Sequence, residues 1–448
     1  MHDLYDIDIT DPAEAFHRLE PLGPRFLIER ATADRRYALL GLGDAVEVLL
    51  DDAGLHIDDR TLPVPSRSAL LDGLRLAMAQ APRLSPDVDT PFPGGLVGYG
   101  GYDMVRRFED LAPRGRGPQG AWLAPRTVLL IDRALDRAVL LHAGDDEERR
   151  ALTARVRDLL AQPLPRRPFA IGAVQPSLGD AEFLAAVDRA KQHITAGDVF
   201  QLVLSIRYAA RCSADPLEVY RALRRLNPSP YMFYLRFGDT TVVGSSPEAL
   251  LRLEGRDAFL QPIAGTRPLG ATPEDDAALE LDLVHDPKEA AEHVMLVDLA
   301  RNDLGRVATP GSVHVRPFRV VRRFSHVMHL VSGVRGTLEP EADAFDLYAA
   351  AFPAGTVTGA PKVRALQLID ELEPVARGVY AGTVGTFGVD GSADQGLTIR
   401  TLIFDADEVS WQAGAGIVSR SVPAAELAEI RAKSAAMEAA LTAAGGSR

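Results

Sequence analysis

Two pairs of carboxylates are the first residues whose spacing invites chemistry. Glu289 and Glu292 stand three apart, and so do Glu426 and Glu429, with Lys433 four residues further on. Residues three or four apart on a helix share a face. Two helices that each present such a pair could hold Mg²⁺, a hard cation that prefers a few carboxylates, waters and substrate oxygens. A lone Glu-x-x-Glu is more commonly a solvated helix face, so the spacing does not establish a metal by itself. Small-residue clusters are the second candidates. In Gly414-Ala415-Gly416 the backbone N–H groups can approach an anion closely. Pro262-Ile263-Ala264-Gly265-Thr266 and Pro353-Ala354-Gly355-Thr356 are turn-like stretches that end in a hydroxyl. Arg400 ends an apparent strand, 396–399, where a guanidinium suits bidentate carboxylate binding. Taken singly, each of these is more commonly an ordinary tight turn or a surface arginine. There is no P-loop and no dinucleotide fingerprint. His326 and His329 read as packed or exposed histidines rather than zinc ligands.

The elements that must position these residues are partly legible. Asp286 can cap a helix over 286–306, with Pro287 in its first turn and Glu289 at capping-box spacing. The second pair falls in another helix near the C-terminus, and the Ala-rich 434–445 stretch reads as a terminal helix. Asp180 predicts the cap of a helix to about Thr195, broken by Ala196-Gly197-Asp198. Alternation of Phe200, Leu202, Leu204 and Ile206 with Gln201, Val203, Ser205 and Arg207 predicts a strand. Leu39-Leu40 and 46–50 read as strands, and 151–160 as a helix. Four prolines in 162–176 mark a connector. Strands and helices follow in mixed order without steady βαβ alternation, which favours the α+β class.

Bulk composition narrows the function classes. The 448 residues are 46% hydrophobic, enough for one large or two medium cores. A net charge of -13 argues against a broad nucleic-acid footprint and leaves an anionic substrate dependent on a local cation or a metal. Cys212 is the single cysteine, so there is no intrachain disulfide and no Cys-based zinc site. The sequence shows no basic-plus-apolar leader and no apolar run of about 18 residues, so no membrane role and a cytoplasmic location are expected.

The order and wording of several segments resemble the chorismate-utilising enzymes and, within them, the large subunit of anthranilate synthases. These segments are 196–205 (AGDVFQLVLS), 227–233 (NPSPYMF), 244–248 (GSSPE), 262–268 (PIAGTRP), 291–303 (AEHVMLVDLARND), 325–332 (SHVMHLVS), 352–362 (FPAGTVTGAPK) and 412–418 (QAGAGIV). A weaker match runs through Arg36-Tyr37 and 94–103 (GGLVGYGGYD). The resemblance implies a large α/β sandwich of two mostly antiparallel sheets with surrounding helices. In it, an N-terminal regulatory or structural region (1–175) packs around a chorismate-binding catalytic domain (176–448). It implies Mg²⁺ bound through Glu292 and Glu429, with Glu289 and Glu426 holding the metal's waters. It places the second substrate carboxylate against Arg400, Tyr380 and the Gly414, Ala415 and Gly416 amides, with Lys433 nearby. Glu248 becomes the general acid, and His329 serves pyruvate elimination or orients the side chain. Ala264, Gly265, Thr266 and Thr356 line the pocket.

Two positions separate relatives. Water-adding members resemble this segment but carry a lysine base where this chain has Gln201; ammonia already has its lone pair, so Gln201 favours amination. Para-aminating members carry a nucleophilic lysine where this chain has Ala264, which favours direct ortho attack. The expected reaction is Mg²⁺-dependent ortho-amination of chorismate followed by pyruvate elimination. The alternatives are a 2-amino-2-deoxyisochorismate synthase, which stops at the aminated intermediate, and an aminodeoxychorismate synthase component I. No amidotransferase-like segment is present, so ammonia from glutamine would come from a separate glutamine amidotransferase subunit in a hetero-oligomer. The resemblance also implies a regulatory tryptophan site built from a Leu-Leu-Glu-Ser element and the 227–233 segment. Here the first reads Leu27-Ile28-Glu29-Arg30, opposite Asn227, Pro228, Ser229, Pro230, Tyr231 and Met232. A second departure is Ser419-Arg420-Ser421 after the glycine motif.

Overall fold

In the computed structural model, residues 9, 11–31, 35–86, 88–115, 117–133, 135–162, 170–323 and 327–446 are described. Helix and strand are nearly balanced, at 36% and 35%, and alternate irregularly along the chain, as the α+β expectation requires. Twenty strands form one curled sheet, and three more, Ile263–Pro268, Val327–Val331 and Val320–Arg323, form a small second sheet. The strand pairs are antiparallel. Two long strands, Arg36–Leu50 and Gly120–Asp132, pair along nearly their whole length, with an irregularity between Leu42 and Ala45. Bulges of this kind increase local twist and let a long sheet curl over its core.

The N-terminal and C-terminal parts of the chain share that sheet. Pro24–Ala31 pairs with Tyr231–Phe237, setting Ile28 opposite Phe233 and Arg30 opposite Tyr231. Gly95–Gly100 pairs with Thr383–Gly388. One hydrophobic cluster includes Leu27 and Trp122 together with Trp411 and Ile430. Residues 163–169 of the 162–176 connector lie outside the described residues, as does His326.

Local expectations are met with shifted edges. The helix expected from Asp180 is Asp180–Ala196; Gly179 caps it, with the Glu182 carboxylate accepting from Gly179 N, and Gly197 ends it at φ +85°. Asp180 is thus the first helical residue rather than the cap, a one-position difference. The 151–160 helix begins earlier, as Asp146–Leu160, because Asp145 and Glu148 form a capping box. The Leu39-Leu40 and 46–50 segments are parts of one strand. The strand at 201–211 is buried on both faces over most of its length, whereas Phe200, at its edge, is 72% exposed. No described helix is long and apolar enough to cross a membrane.

Candidate active site

The floor of the site is the strand pair Gln201–Arg211 and Glu408–Ile417, with Gly414 opposite Ser205 and Gly416 opposite Val203. Gly414-Ala415-Gly416 is therefore a strand and not the turn-like cluster its composition implies. The glycines serve close approach. A Cβ on Gly414 would stand 2.7 Å from the Tyr380 hydroxyl, and one on Gly416 would stand 2.6 Å from Gln201 Nε2. Their absence lets both side chains lie across the strand. Pairing with Thr401–Asp405 stops at Trp411, so beyond it this strand is laddered to Gln201–Arg211 alone among the described strands. Lys433 donates to Gly414 O at 2.9 Å. The 262–266 stretch is likewise a strand, bulged between Ala264 and Thr266, with Gly265 at φ +67°.

The two carboxylate pairs come from two helices. Pro287–Gly305 carries Glu289 and Glu292; Asp286 caps it by accepting from Lys288 N and Glu289 N. The Glu289 side chain faces Arg267 at 3.7 Å. Pro423–Gly446 carries Glu426, Glu429 and Lys433, so the second pair and the Ala-rich tail form one helix. Burial raises the Glu292 and Glu289 pKa values; the Glu289 charge adds to the rise at Glu292, and the Glu429 charge adds to both. The pairs therefore converge. Gln201 Nε2 donates to Glu292 Oε1 at 2.9 Å, and Lys433 Nζ meets Glu429 at 2.7 Å. Glu426 is buried one turn before Glu429. Among the described residues no three His, Cys, Asp or Glu side chains form a ready-made metal cluster. Mg²⁺ does not need one, because it keeps several waters and takes one or two carboxylates plus substrate oxygens. Mutually repelling carboxylates on facing helices fit that donor set.

Across the site sits Glu248. Burial pushes its carboxyl up to about 7, against the lowering effects of a 2.7 Å hydrogen bond from the Thr356 hydroxyl and of the Lys433 and Arg400 charges. Thr356 lies in the short turn Gly355–Val357. Arg400 does not end a strand: it occupies the bend between Ala393–Leu397 and Thr401–Asp405, at φ +50°. Burial lowers its pKa, and it donates to Asn227 Oδ1 at 3.3 Å. His329 Nδ1 lies 2.9 Å from Gly265 O and 3.1 Å from Thr266 Oγ1. A carbonyl only accepts, so the proton sits on Nδ1 and the lone pair on Nε2. Burial holds His329 below the usual histidine range, with Arg400 and Lys433 adding to the effect.

The residues grouped as a regulatory site divide. Ile28, Arg30, Tyr231 and Met232 line one pocket. Pro230 contributes a carbonyl that accepts from Arg30. Glu29 faces the opposite side of its strand, as alternation demands, and takes hydrogen bonds from Tyr220 and Arg224. Asn227 contacts Arg400 and, through its carbonyl, Ser245, while Ser229 bonds only locally, to Asn227 O. Cys212 is buried and free, away from these groups. Sequence reasoning missed the ion pair Glu373–Arg377 beneath the floor. An i,i+4 Glu/Arg spacing resembles a solvated helix pair; the contrary signal was Pro374, which cannot sit inside such a helix.

Comparison with known proteins identifies the family. The family model for chorismate binding enzymes matches residues 23–439. The chain is 42% identical over 457 residues to anthranilate synthase component 1 of Streptomyces coelicolor, covering 94% of this chain and 88% of that protein. It is 40% identical to the component 1 of Thermus thermophilus, covering 96% and 95%. The solved anthranilate synthase component I of Streptococcus pneumoniae TIGR4 superposes with a TM-score of 0.78 at 31% identity, covering 98% and 94% of the two chains. On sequence and fold together, this chain belongs to the chorismate binding enzymes, in their anthranilate synthase component 1 branch.

Proposed function

We propose that the chain aminates chorismate with ammonia at C2 and then eliminates pyruvate, giving anthranilate. The observation that carries this reading is Glu248. Its carboxyl is held near pKa 7, within reach of the Arg400 and Lys433 charges, while Gln201 stands beside the Glu292 carboxylate. A carboxyl near pKa 7 keeps enough proton at neutral pH to serve as a general acid. Ammonia bonds to C2, the ring double bonds shift, and the C4–O bond breaks. Glu248 gives its proton to the departing hydroxide, which leaves as water. Loss of the C2 proton and cleavage of the C3–O bond then release pyruvate and make the ring aromatic. Neutral His329, with Nε2 unprotonated, serves that second half or orients the enolpyruvyl group. Arg400, Tyr380, Lys433 and the amides of residues 414–416 hold the second carboxylate, and Ala264, Gly265 and Thr266 line the pocket.

Glu292 and Glu429 would hold Mg²⁺, with Glu289 and Glu426 on its waters. When bound there the ion supplies a counter-charge for the ring carboxylate and orients the C4 hydroxyl. Gln201 supplies no base, which suits ammonia and not water. The relatives' designation as component 1 implies a partner component, and we assign it as a glutamine amidotransferase that delivers ammonia. The deciding experiment gives the purified chain chorismate, Mg²⁺ and an ammonium salt, and follows anthranilate fluorescence and pyruvate together. Equal release of both is expected. Amination without pyruvate would mean that the reaction stops at the intermediate, and no reaction would overturn the assignment.

A further inference from the structure

We propose that the buried pair Glu373–Arg377 is a positioning brace that aligns Thr356, Tyr380 and the floor strands for the reaction proposed above, on which this inference rests. The pair is sealed from water, with Arg377 1% and Glu373 2% exposed. Arg377 Nε and Nη2 form a fork on Glu373, at 2.9 and 2.7 Å. Its remaining donors leave the pair. Nη1 donates to Val357 O at 2.7 Å and Nη2 to Val203 O at 2.9 Å. The guanidinium also stacks over the rings of Tyr102, 4.7 Å away, and Tyr380, 5.7 Å away. Glu373 Oε1 accepts from the backbone and the hydroxyl of Ser205, at 2.8 and 2.7 Å, and Gln412 donates to the same hydroxyl.

Three of these contacts lead to groups that the proposed reaction assigns to the substrate or to its acid. Val357 follows Thr356, which holds Glu248. Tyr380 lies across Gly414, and Ser205 is paired with Gly414 on the neighbouring strand. One ion pair therefore fixes the turn behind the general acid, the tyrosine at the carboxylate end and the register beneath both. For stability alone, a buried ion pair is often replaceable by apolar packing without loss. Four directed bonds from one guanidinium to three separate elements do what apolar packing cannot.

Arg377→Lys tests this, since it keeps the charge and loses the fork. The Thr356 hydroxyl bond lowers the Glu248 pKa, so a displaced Thr356 must let that pKa rise, while Arg400 and Lys433, the charges facing Glu248, stay in place. A general acid works until it is deprotonated, so the alkaline limb of kcat should move to higher pH, in the same sense as in Thr356→Val. A drop of at least about tenfold in kcat/KM for chorismate should accompany it. The double variant should shift no further than Thr356→Val alone. A merely structural pair would lower the folded fraction and leave the limb in place. Glu373→Gln, which keeps shape and removes the anion, applies the same test should Arg377→Lys fail to fold. A folded variant of either kind with an unmoved limb and unchanged kcat/KM overturns the brace. Glu248→Gln separates the two claims: if it keeps full activity, the general-acid assignment fails, whereas an inactive Glu248→Gln beside an unaffected Arg377→Lys refutes the brace alone.

Discussion

Arg30→Ser should strengthen inhibition by tryptophan, which is expected to be weak in the wild-type chain. Of the residues that the resemblance assigns to tryptophan, Arg30, Tyr231 and Met232 line one pocket with Ile28, Tyr37 and Asp394, and the Arg30 guanidinium lies across it. The guanidinium donates to Asp394 from Nε at 2.8 Å and Nη2 at 3.1 Å, lies 3.4 Å over the Tyr231 ring and donates to Pro230 O. The free space that remains admits a water but not an indole ring. Any amino acid entering must first displace a buried, hydrogen-bonded cation. Breaking such a pair costs about 3–5 kcal/mol when both charges are fully buried. Asp394 is 24% exposed and keeps its hydrogen bond from Tyr231 at 2.7 Å, so about 2–3 kcal/mol is the better figure here. That penalty is roughly thirty- to one-hundred-fold in affinity, at about 1.4 kcal/mol per tenfold. Initial rates with ammonia and chorismate, titrated with tryptophan, should show weak or no inhibition in the wild type and inhibition at least about tenfold tighter in Arg30→Ser. Tight inhibition of the wild type, unchanged in the variant, would refute the reasoning. So would a folded Arg30→Ser that binds no tryptophan by calorimetry.

Glu292→Gln and Glu429→Gln should each cut turnover by more than about a hundredfold. Thermal unfolding without Mg²⁺ should hold or improve for Glu292→Gln, because that change relieves repulsion from Glu289 and Glu429; near-native, Mg²⁺-dependent activity in both variants would remove the metal assignment. Since the Glu248 carboxyl is raised to about 7, kcat should fall as pH climbs through that value and the proton is lost; a flat profile from pH 6 to 9 would exclude Glu248 as the acid. Gln201→Lys should weaken amination, because a cation would replace the amide donor on Glu292 and stand on ammonia's side; unchanged anthranilate formation would place the nucleophile elsewhere. Glutamine-dependent activity should appear only on addition of a separate glutaminase subunit, and glutamine use by the pure chain would defeat this.

Local signals in the sequence carried the helices further than the sheets. Asp286 caps its helix as its side chain predicts, and Asp145, Gly197 and Pro287 mark ends that local chemistry determines. Strand pairing is non-local, and hydrophobic alternation does not name the partner. Nothing in Leu27-Ile28-Glu29-Arg30 says that it pairs with Tyr231–Phe237, about 200 residues away, or that the 1–175 region is stitched to the catalytic part by hydrogen bonds. The 414–416 stretch failed for a related reason. Glycine is ambiguous between a turn and a strand that must admit a neighbour, and the neighbours, Tyr380 and Gln201, come from elsewhere in the chain.

Spacing drew attention to the two carboxylate pairs and the resemblance to Glu248, but neither gives their electrostatic states, because those depend on distant partners. Glu248 is one glutamate among many in the sequence. What raises its pKa is burial by folding, opposed by Thr356 from a turn some hundred residues later and by Arg400 and Lys433 from two further elements. The same holds for Glu29 and Arg30. Adjacent in sequence and assigned together to one pocket, they face opposite sides of a strand: Glu29 meets Arg224 on a helix, and Arg30 meets Asp394 across the sheet. A serine at position 30 would leave the Asp394 carboxylate and the Tyr231 ring facing an open pocket; an arginine satisfies both from within the chain. The substitution therefore replaces a vacancy with an internal occupant. For that reason restoring the serine, rather than deleting the aspartate, is the change that should reopen the site.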